Sequence, residues 1–446
     1  MSWLDCLLHE LADELDNDSN RNVSSMSSCG PETIYHLRTA VRTSTVGSVS
    51  SNLLDELAHV AYNAMSTSRQ PDPACWRRLY TDACTIRSIV DVNYMHVFDE
   101  QIVRASIARL DRVLVIAGAP GEGRRDLVLS LISRLQTEYL PSKTFEPPFS
   151  HSLTPPDTCQ LPSTASPTKA IPRFNKPPSL ISFQRQLYQQ PFILTGYALD
   201  WPAMNDHPWH SIDYLKSVAG PGRLVPIEVG SDYRMEDWSQ QMMDWDEFLD
   251  SLDPRRFERA PVLYLAQHNL FSQFSKLRAD ILLPDYVYTC PPVPSDYPDY
   301  SPPGNEDQLV INAWLGPKGT VSPAHTDPYY NFYAQVVGRK TVWLAAPSAT
   351  PYMYPYPTPT SDSSVKSIHN PATNNLEPSM SNTSRVDVFA SQLEEPERDL
   401  FPLFSENVAP NALCATLEPG DILFFPPGWW HAMKSEETSF SVSMWF

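Results

Sequence analysis

The chain has 446 residues, enough for two or three domains, and a formal charge of −19 that argues against general nucleic-acid binding and favours basic partners, though acidity also serves solubility. No apolar run is long enough to cross a membrane. The first twenty residues hold neither Lys nor Arg, which speaks against a signal or transit peptide, and seven cysteines without CxxC or regular spacing read as reduced thiols of a cytosolic or nuclear protein.

Trp3, Leu4, Leu7, Leu8, Leu11 and Leu15 recur at helical spacing and predict an amphipathic helix that docks on the fold or binds a partner. Residues 17–32 are polar and Ser-rich. From Glu32 to about Leu140 the pattern stays helical, so residues 1–140 read as an N-terminal helical domain. Inside it, Gly118-Ala-Pro-Gly-Glu-Gly123 has the spacing of a phosphate loop. Arg124 and Arg125 stand where that loop needs Lys and Ser/Thr, so the stretch reads as a helix–loop–helix junction.

Residues 141–178 are rich in Pro, Ser and Thr and predict a linker. A third region, 179–446, is rich in strand patterns. Pro191–Gly196 and Leu224–Val229 read as strands and Trp209–Ala219 as a helix. Glu228 breaks from Val225, Ile227 and Val229, which fill the opposite face; a solvated edge carboxylate has the same pattern. Stretches at about 290–306 and 349–384 read as surface loops inserted between strands. Asn331–Val337, Gly338-Arg339 and Lys340–Leu344 read as a β-hairpin, with Val337 facing Lys340 and Gln335 facing Val342.

The chemistry centres on Thr320–Tyr329. In a strand, side chains two apart share a face, so His325 and Asp327 can aim an imidazole and a carboxylate at one point. Two histidines and one carboxylate with open positions suit non-haem Fe(II). An HxD triplet alone is weak, because a chain with 11 histidines can produce one by chance. If Pro328 does not break the strand, Asn331 and Lys340 fall on the same face by parity, and an inward ammonium requires an anionic partner. Near the C-terminus, Pro426-Pro-Gly-Trp-Trp-His431 reads as a stiff aromatic loop ending in histidine, after strand Ile422–Phe425 and before strand Ser439–Phe446. His431 joins His325 and Asp327 only in a fold that brings distant strands together, as a double-stranded β-helix does.

The motifs Tyr264-Leu-Ala-Gln-His268, Ile311-Asn-Ala-Trp-Leu-Gly-Pro317, Val321-Ser-Pro-Ala-His-Thr-Asp-Pro328, Val337-Gly-Arg-Lys340 and Pro419-Gly-Asp421 through His431 occur in one order over about 191–446. In this the chain resembles the jumonji-C (JmjC) 2-oxoglutarate oxygenases, specifically the group of JmjC-domain protein 5, also called lysine demethylase 8. The resemblance implies an α+β chain: a double-stranded β-helix (jelly roll, cupin-like) preceded by helices. It implies Fe(II) held by His325, Asp327 and His431, and 2-oxoglutarate, with O2 as co-substrate, held by Lys340, Asn331, Tyr264 and Ser322. It further implies that Glu228, Trp238 and Gln267 line a narrow arginine-like pocket, since a carboxylate pairs with a guanidinium and an indole stacks on its plane.

The expected reaction is hydroxylation of an arginine side chain in a protein or peptide. Lysine demethylation is the alternative, and it would want an aromatic cage. A catalytically silent JmjC module that binds proteins is a reading of another class. The intact ligand set argues against it. Nuclear or cytoplasmic location and no direct nucleic-acid binding complete the expectations.

Overall fold

The computed structural model describes residues 2–17, 20–46, 51–67, 74–141, 152–153, 169–230, 232–235, 238–253, 261–357, 380–390 and 400–446. Most of the expected linker (142–151 and 154–168) and the middle of the second inserted loop (358–379) lie outside the described residues. Among those described, no helix is long and apolar enough to cross a membrane.

Seven helices open the chain: α1 (Trp3–Asp16), α2 (Arg21–Ser24), α3 (Pro31–Thr45), α4 (Ser51–Thr67), α5 (Ala74–Asn93), α6 (Glu100–Arg112) and α7 (Arg124–Tyr139). Ser2 and Asp5 close a capping box at the start of α1, and Leu4, Leu8, Leu11 and Leu15 enter a core built only from the helical region. The phosphate-loop look-alike is a π-turn (Val113–Ala117) followed by a loop into α7. Arg124 does not face a ligand there. Its Nε donates to Asp82 Oδ1 at 2.8 Å, and its two Nη groups donate to Glu14 at 2.6 and 2.9 Å.

Among the described residues the remainder is a mixed fold of fourteen strands. Before the first inserted loop come β1 (Lys169–Ala170), β2 (Arg173–Phe174), β3 (Phe192–Leu194), β4 (Leu224–Val229), β5 (Ser239–Asp244) and β6 (Leu263–His268). Then follow β7 (Val310–Gly316), β8 (Val321–Thr326), β9 (Asn331–Val337), β10 (Lys340–Ala345), β11 (Leu413–Leu417), β12 (Ile422–Phe425), β13 (Trp430–Ser435) and β14 (Ser439–Trp445). They form a five-stranded sheet, β1-β11-β10-β13-β8, and a nine-stranded sheet, β2-β3-β12-β9-β14-β7-β6-β4-β5. Ile193, Tyr333, Leu423 and Phe425 of the larger sheet meet Val342, Leu344, Leu417 and Met433 of the smaller one in a shared interior. This is the expected jelly roll preceded by helices. The outer face of the larger sheet carries an aromatic layer in which Phe183, Phe192, Phe332 and Phe424 pack at ring distances of 4.9–6.4 Å.

Three local expectations are corrected. β9 and β10 are not a hairpin: β9 pairs with β12 and β14, while β10 pairs with β11 and β13. Gly338, at φ +66°, turns the chain from one sheet into the other so tightly that a Cβ would collide with the carbonyl of Thr438. Lys340 still points inward, because the two strands face each other across the interior and its Nζ meets the Tyr333 hydroxyl there. Residues 169–174, expected as linker, add short parallel strands to both sheets, and Leu153 is fully buried. His431 does not end a loop; it is the second residue of β13.

The inserted loops also reach inward. Tyr330 donates to the carbonyl of Pro292 at 2.8 Å, and Asn382–Ser384 lies against β8.

Candidate metal centre and its pocket

β8 and β13 are antiparallel neighbours, and His325 stands directly opposite His431. Asp327 follows β8, where Pro328 ends the strand; its carbonyl accepts from Gly428 N–H at 2.9 Å, which ties the turn to the segment before β13. The three side chains offer ligand atoms that all lie within 4.8 Å of one another. His325 Nε2 is 3.8 Å and His431 Nε2 3.4 Å from the Asp327 carboxylate.

Both rings are oriented in the same way. Nδ1 of His325 meets the carbonyl of Pro323 at 2.8 Å, and Nδ1 of His431 meets that of Trp429 at 3.0 Å. Each Nδ1–H is thereby engaged by a backbone carbonyl, and each Nε2 is left as the lone-pair donor facing Asp327. Burial, aided by the neighbouring His431, pushes His325 down to about 4, so its imidazole is neutral at physiological pH. Burial alone would raise Asp327, but the facing His431 and His325 outweigh it and hold the carboxyl below its usual range. A neutral imidazole at His325 and an ionised carboxylate at Asp327 are the ligand forms a divalent iron needs.

The pocket around these residues is lined by Trp314, Ser322, Asn331, Tyr333, Phe425 and Met433. Lys340 is buried one contact deeper. Its Nζ donates to the Tyr333 hydroxyl at 2.9 Å and to that of Tyr264 at 3.5 Å. Desolvation pushes the ammonium down to about 7, since no carboxylate among the described residues pairs with it. Ser322 hydrogen-bonds Tyr264, whose phenol burial raises far above its usual value. Asn331 Oδ1 is buried with no hydrogen-bond partner among the described residues. A dicarboxylate fits this set: it would pair with Lys340 and engage the hydroxyls and the Asn331 amide.

Asn331 and Lys340 thus face the same interior as the ligand set, although the parity that suggested it fails, because the strand breaks at Pro328 and β9 and β10 do not pair. Tyr333 did not figure in that expectation, although it sits two residues after Asn331 on the same face and was recoverable by the same count.

The three substrate-pocket candidates are brought together in part. Trp238 Nε1 donates to Glu228 Oε2 at 3.2 Å, and burial raises the Glu228 carboxyl while the Trp238 and Gln240 hydrogen bonds partly offset it. Glu228 lies directly across from Tyr264 in the β4–β6 ladder. Gln267 is exposed, at φ +47°, where a register shift after Leu265 breaks the alternation of β6.

A family model for the cupin-like domain matches residues 182–446. The chain is 36% identical over 377 residues to lysine-specific demethylase 8 of Danio rerio, covering 83% of this chain and 81% of that one. It is 40% identical over 284 residues to Jumonji C domain-containing protein 5 of Drosophila melanogaster (62% and 59%). It is 36% identical over 279 residues to JmjC domain-containing protein D of Dictyostelium discoideum (61% and 56%), so it spans less than two thirds of the last two.

Proposed function

The chain belongs to the cupin-like JmjC family of Fe(II)- and 2-oxoglutarate-dependent oxygenases, and on that premise we propose that it hydroxylates an arginine side chain in a basic protein or peptide. The observation that supports this most is the pairing of the half-buried Glu228 carboxylate with the Trp238 indole, one strand over from Tyr264. A half-buried carboxylate calls for a cationic partner, and a planar guanidinium takes both an ion pair and a stacking indole.

In this reading His325, Asp327 and His431 hold the iron, and Lys340 with Tyr264, Ser322 and Asn331 holds 2-oxoglutarate. When bound, the metal with 2-oxoglutarate and O2 supplies the oxidising power that inserts one oxygen atom into a C–H bond, leaving succinate and CO2. The residues of the chain do the rest. The carbonyls of Pro323 and Trp429 fix the imidazole tautomers, Asp327 stays ionised, and Lys340 neutralises a carboxylate inside a largely dry interior. Trp314, Phe425 and Met433 line the pocket with side chains that keep water away from the reacting carbon.

Lysine demethylation is the second reading, favoured by the printed name of the zebrafish relative. Mass spectrometry separates the two. Incubation of arginine peptides and trimethyl-lysine peptides with Fe(II), 2-oxoglutarate and O2 should add 16 Da to the arginine peptide, and Glu228→Ala should abolish that gain while iron and 2-oxoglutarate still bind. Loss of methyl groups from lysine with no gain on arginine would overturn the hydroxylase reading.

A further inference from the structure

Glu228 sits on β4 of the nine-stranded sheet and His325 on β8 of the five-stranded sheet. No backbone ladder therefore sets the distance between the side chain expected to anchor a substrate and the metal ligands. A different set of contacts spans that gap. Tyr233, on the turn after β4, meets Thr383 Oγ1 through its hydroxyl at 3.2 Å. Arg234 beside it is locked by Asp232 at 2.6–3.1 Å and donates to the carbonyls of Ser384 and Val386, each at 3.3 Å. The segment it grips lies on the metal strand itself. Thr326 N–H donates to Asn382 O at 3.0 Å, Ser384 N–H donates to Ala324 O at 2.8 Å, and Thr383 stands opposite His325.

We infer that this clasp, with the Tyr233 hydroxyl and Thr383 at its centre, is a positioning device that sets which carbon of the bound side chain faces the metal; the inference rests on the oxygenase reading above. Glu228 fixes one end of a long cationic side chain and the metal acts near its middle, so a displacement of about 1 Å between the two strands changes which C–H bond is presented. Thr383 is buried, and burial also keeps the Tyr233 phenol protonated, so the contact is a neutral, directional one that pH leaves in place across the physiological range. The hydrogen bonds of the clasp run to Asp232, Ala324, Thr326, Ser384 and Val386 and, among the described residues, not to the expected 2-oxoglutarate residues, so its loss should leave cosubstrate binding alone.

The experiment compares Tyr233→Phe, Thr383→Val and Thr383→Ser with the unmodified chain, on whichever basic peptide the latter oxidises. Iron content, 2-oxoglutarate affinity and melting temperature are measured alongside the succinate released per oxygen gained, and fragmentation spectra locate the oxidised carbon. Tyr233→Phe and Thr383→Val should release several-fold more succinate per oxidised peptide, or spread the oxygen over more than one carbon. Thr383→Ser, which keeps the hydroxyl, should stay near the unmodified chain. Wild-type coupling and regiochemistry in both Tyr233→Phe and Thr383→Val, whether or not the melting temperature falls, would overturn the positioning role. An unmodified chain that binds iron yet oxidises neither arginine nor methyl-lysine peptides sinks the function reading and the inference with it.

Discussion

Asp111 of α6 and Arg223, the residue before β4, form a buried ion pair between the helices and the jelly roll. Arg223 Nε and Nη2 donate to the carboxylate at 2.8–3.1 Å, and the Leu224 N–H donates to it at 2.7 Å. Gln273 adds a fourth donor at 2.7 Å. The carboxylate is completely enclosed, and β4, which carries Glu228, starts from it.

Removing one partner of a buried pair strands the other charge and typically destabilises by about 3–5 kcal/mol. Asp111→Ala should therefore lower the denaturation midpoint sharply and raise the KM for a basic peptide, since the strand bearing Glu228 loses its mooring. Chemical denaturation followed by tryptophan fluorescence checks the first effect. An unchanged midpoint would show that the junction is held by other contacts.

His325→Ala and Asp327→Ala each leave two of three ligands. Iron retained after gel filtration should fall and succinate release should vanish in both, because the facial site needs all three donors. Wild-type turnover in both variants would mean that the metal sits elsewhere.

Lys340→Ala should weaken 2-oxoglutarate binding far more than iron binding, by about 3–5 kcal/mol if the carboxylate is left buried and unpaired. The pH dependence has a definite sign. The free ammonium titrates at about 7, and a bound carboxylate holds the proton on, so below pH 7 the affinity is flat. Above pH 7 the lysine must take up a proton to bind, and the affinity falls as pH rises, by at most about tenfold per unit. Calorimetry at pH 8 in two buffers of different ionisation enthalpy should register net proton uptake, and Lys340→Ala should lose it.

Gly338→Ala tests the corner between the sheets. Its positive φ and the nearby Thr438 carbonyl leave no room for a methyl group. The variant should be less stable than wild type by more than the roughly 1 kcal/mol that backbone strain at a left-handed position imposes on alanine. A melting temperature equal to wild type would mean that the turn relaxes.

Part of the site was legible by counting in twos: His325 and Asp327 could be aimed at one point, and no more than local strand geometry orients the two histidines. Asn331 and Lys340 reach the same interior by another route, since β8 ends before Pro328 and β9 and β10 lie in different sheets. What failed was everything decided by a neighbour far along the chain. Gly338-Arg339 between two apolar runs carries the local signature of a hairpin, yet β14 and β13 outcompete β10 and β9 for each other's edges. Asn382–Ser384 sits in a polar tract without periodicity, so its place beside β8 could not be read; only its backbone bonds to Ala324 and Thr326 define it.

That last segment has a consequence for solubility. β8 is the final strand of the five-stranded sheet, and a bare edge strand offers a row of unpaired N–H and C=O groups on which another chain can grow. Thr326, Ala324 and His325 have that outer row occupied by Asn382–Ser384. Prying the segment away would therefore expose a template for strand addition at the very position that carries a metal ligand, and chains opened there should associate edge to edge.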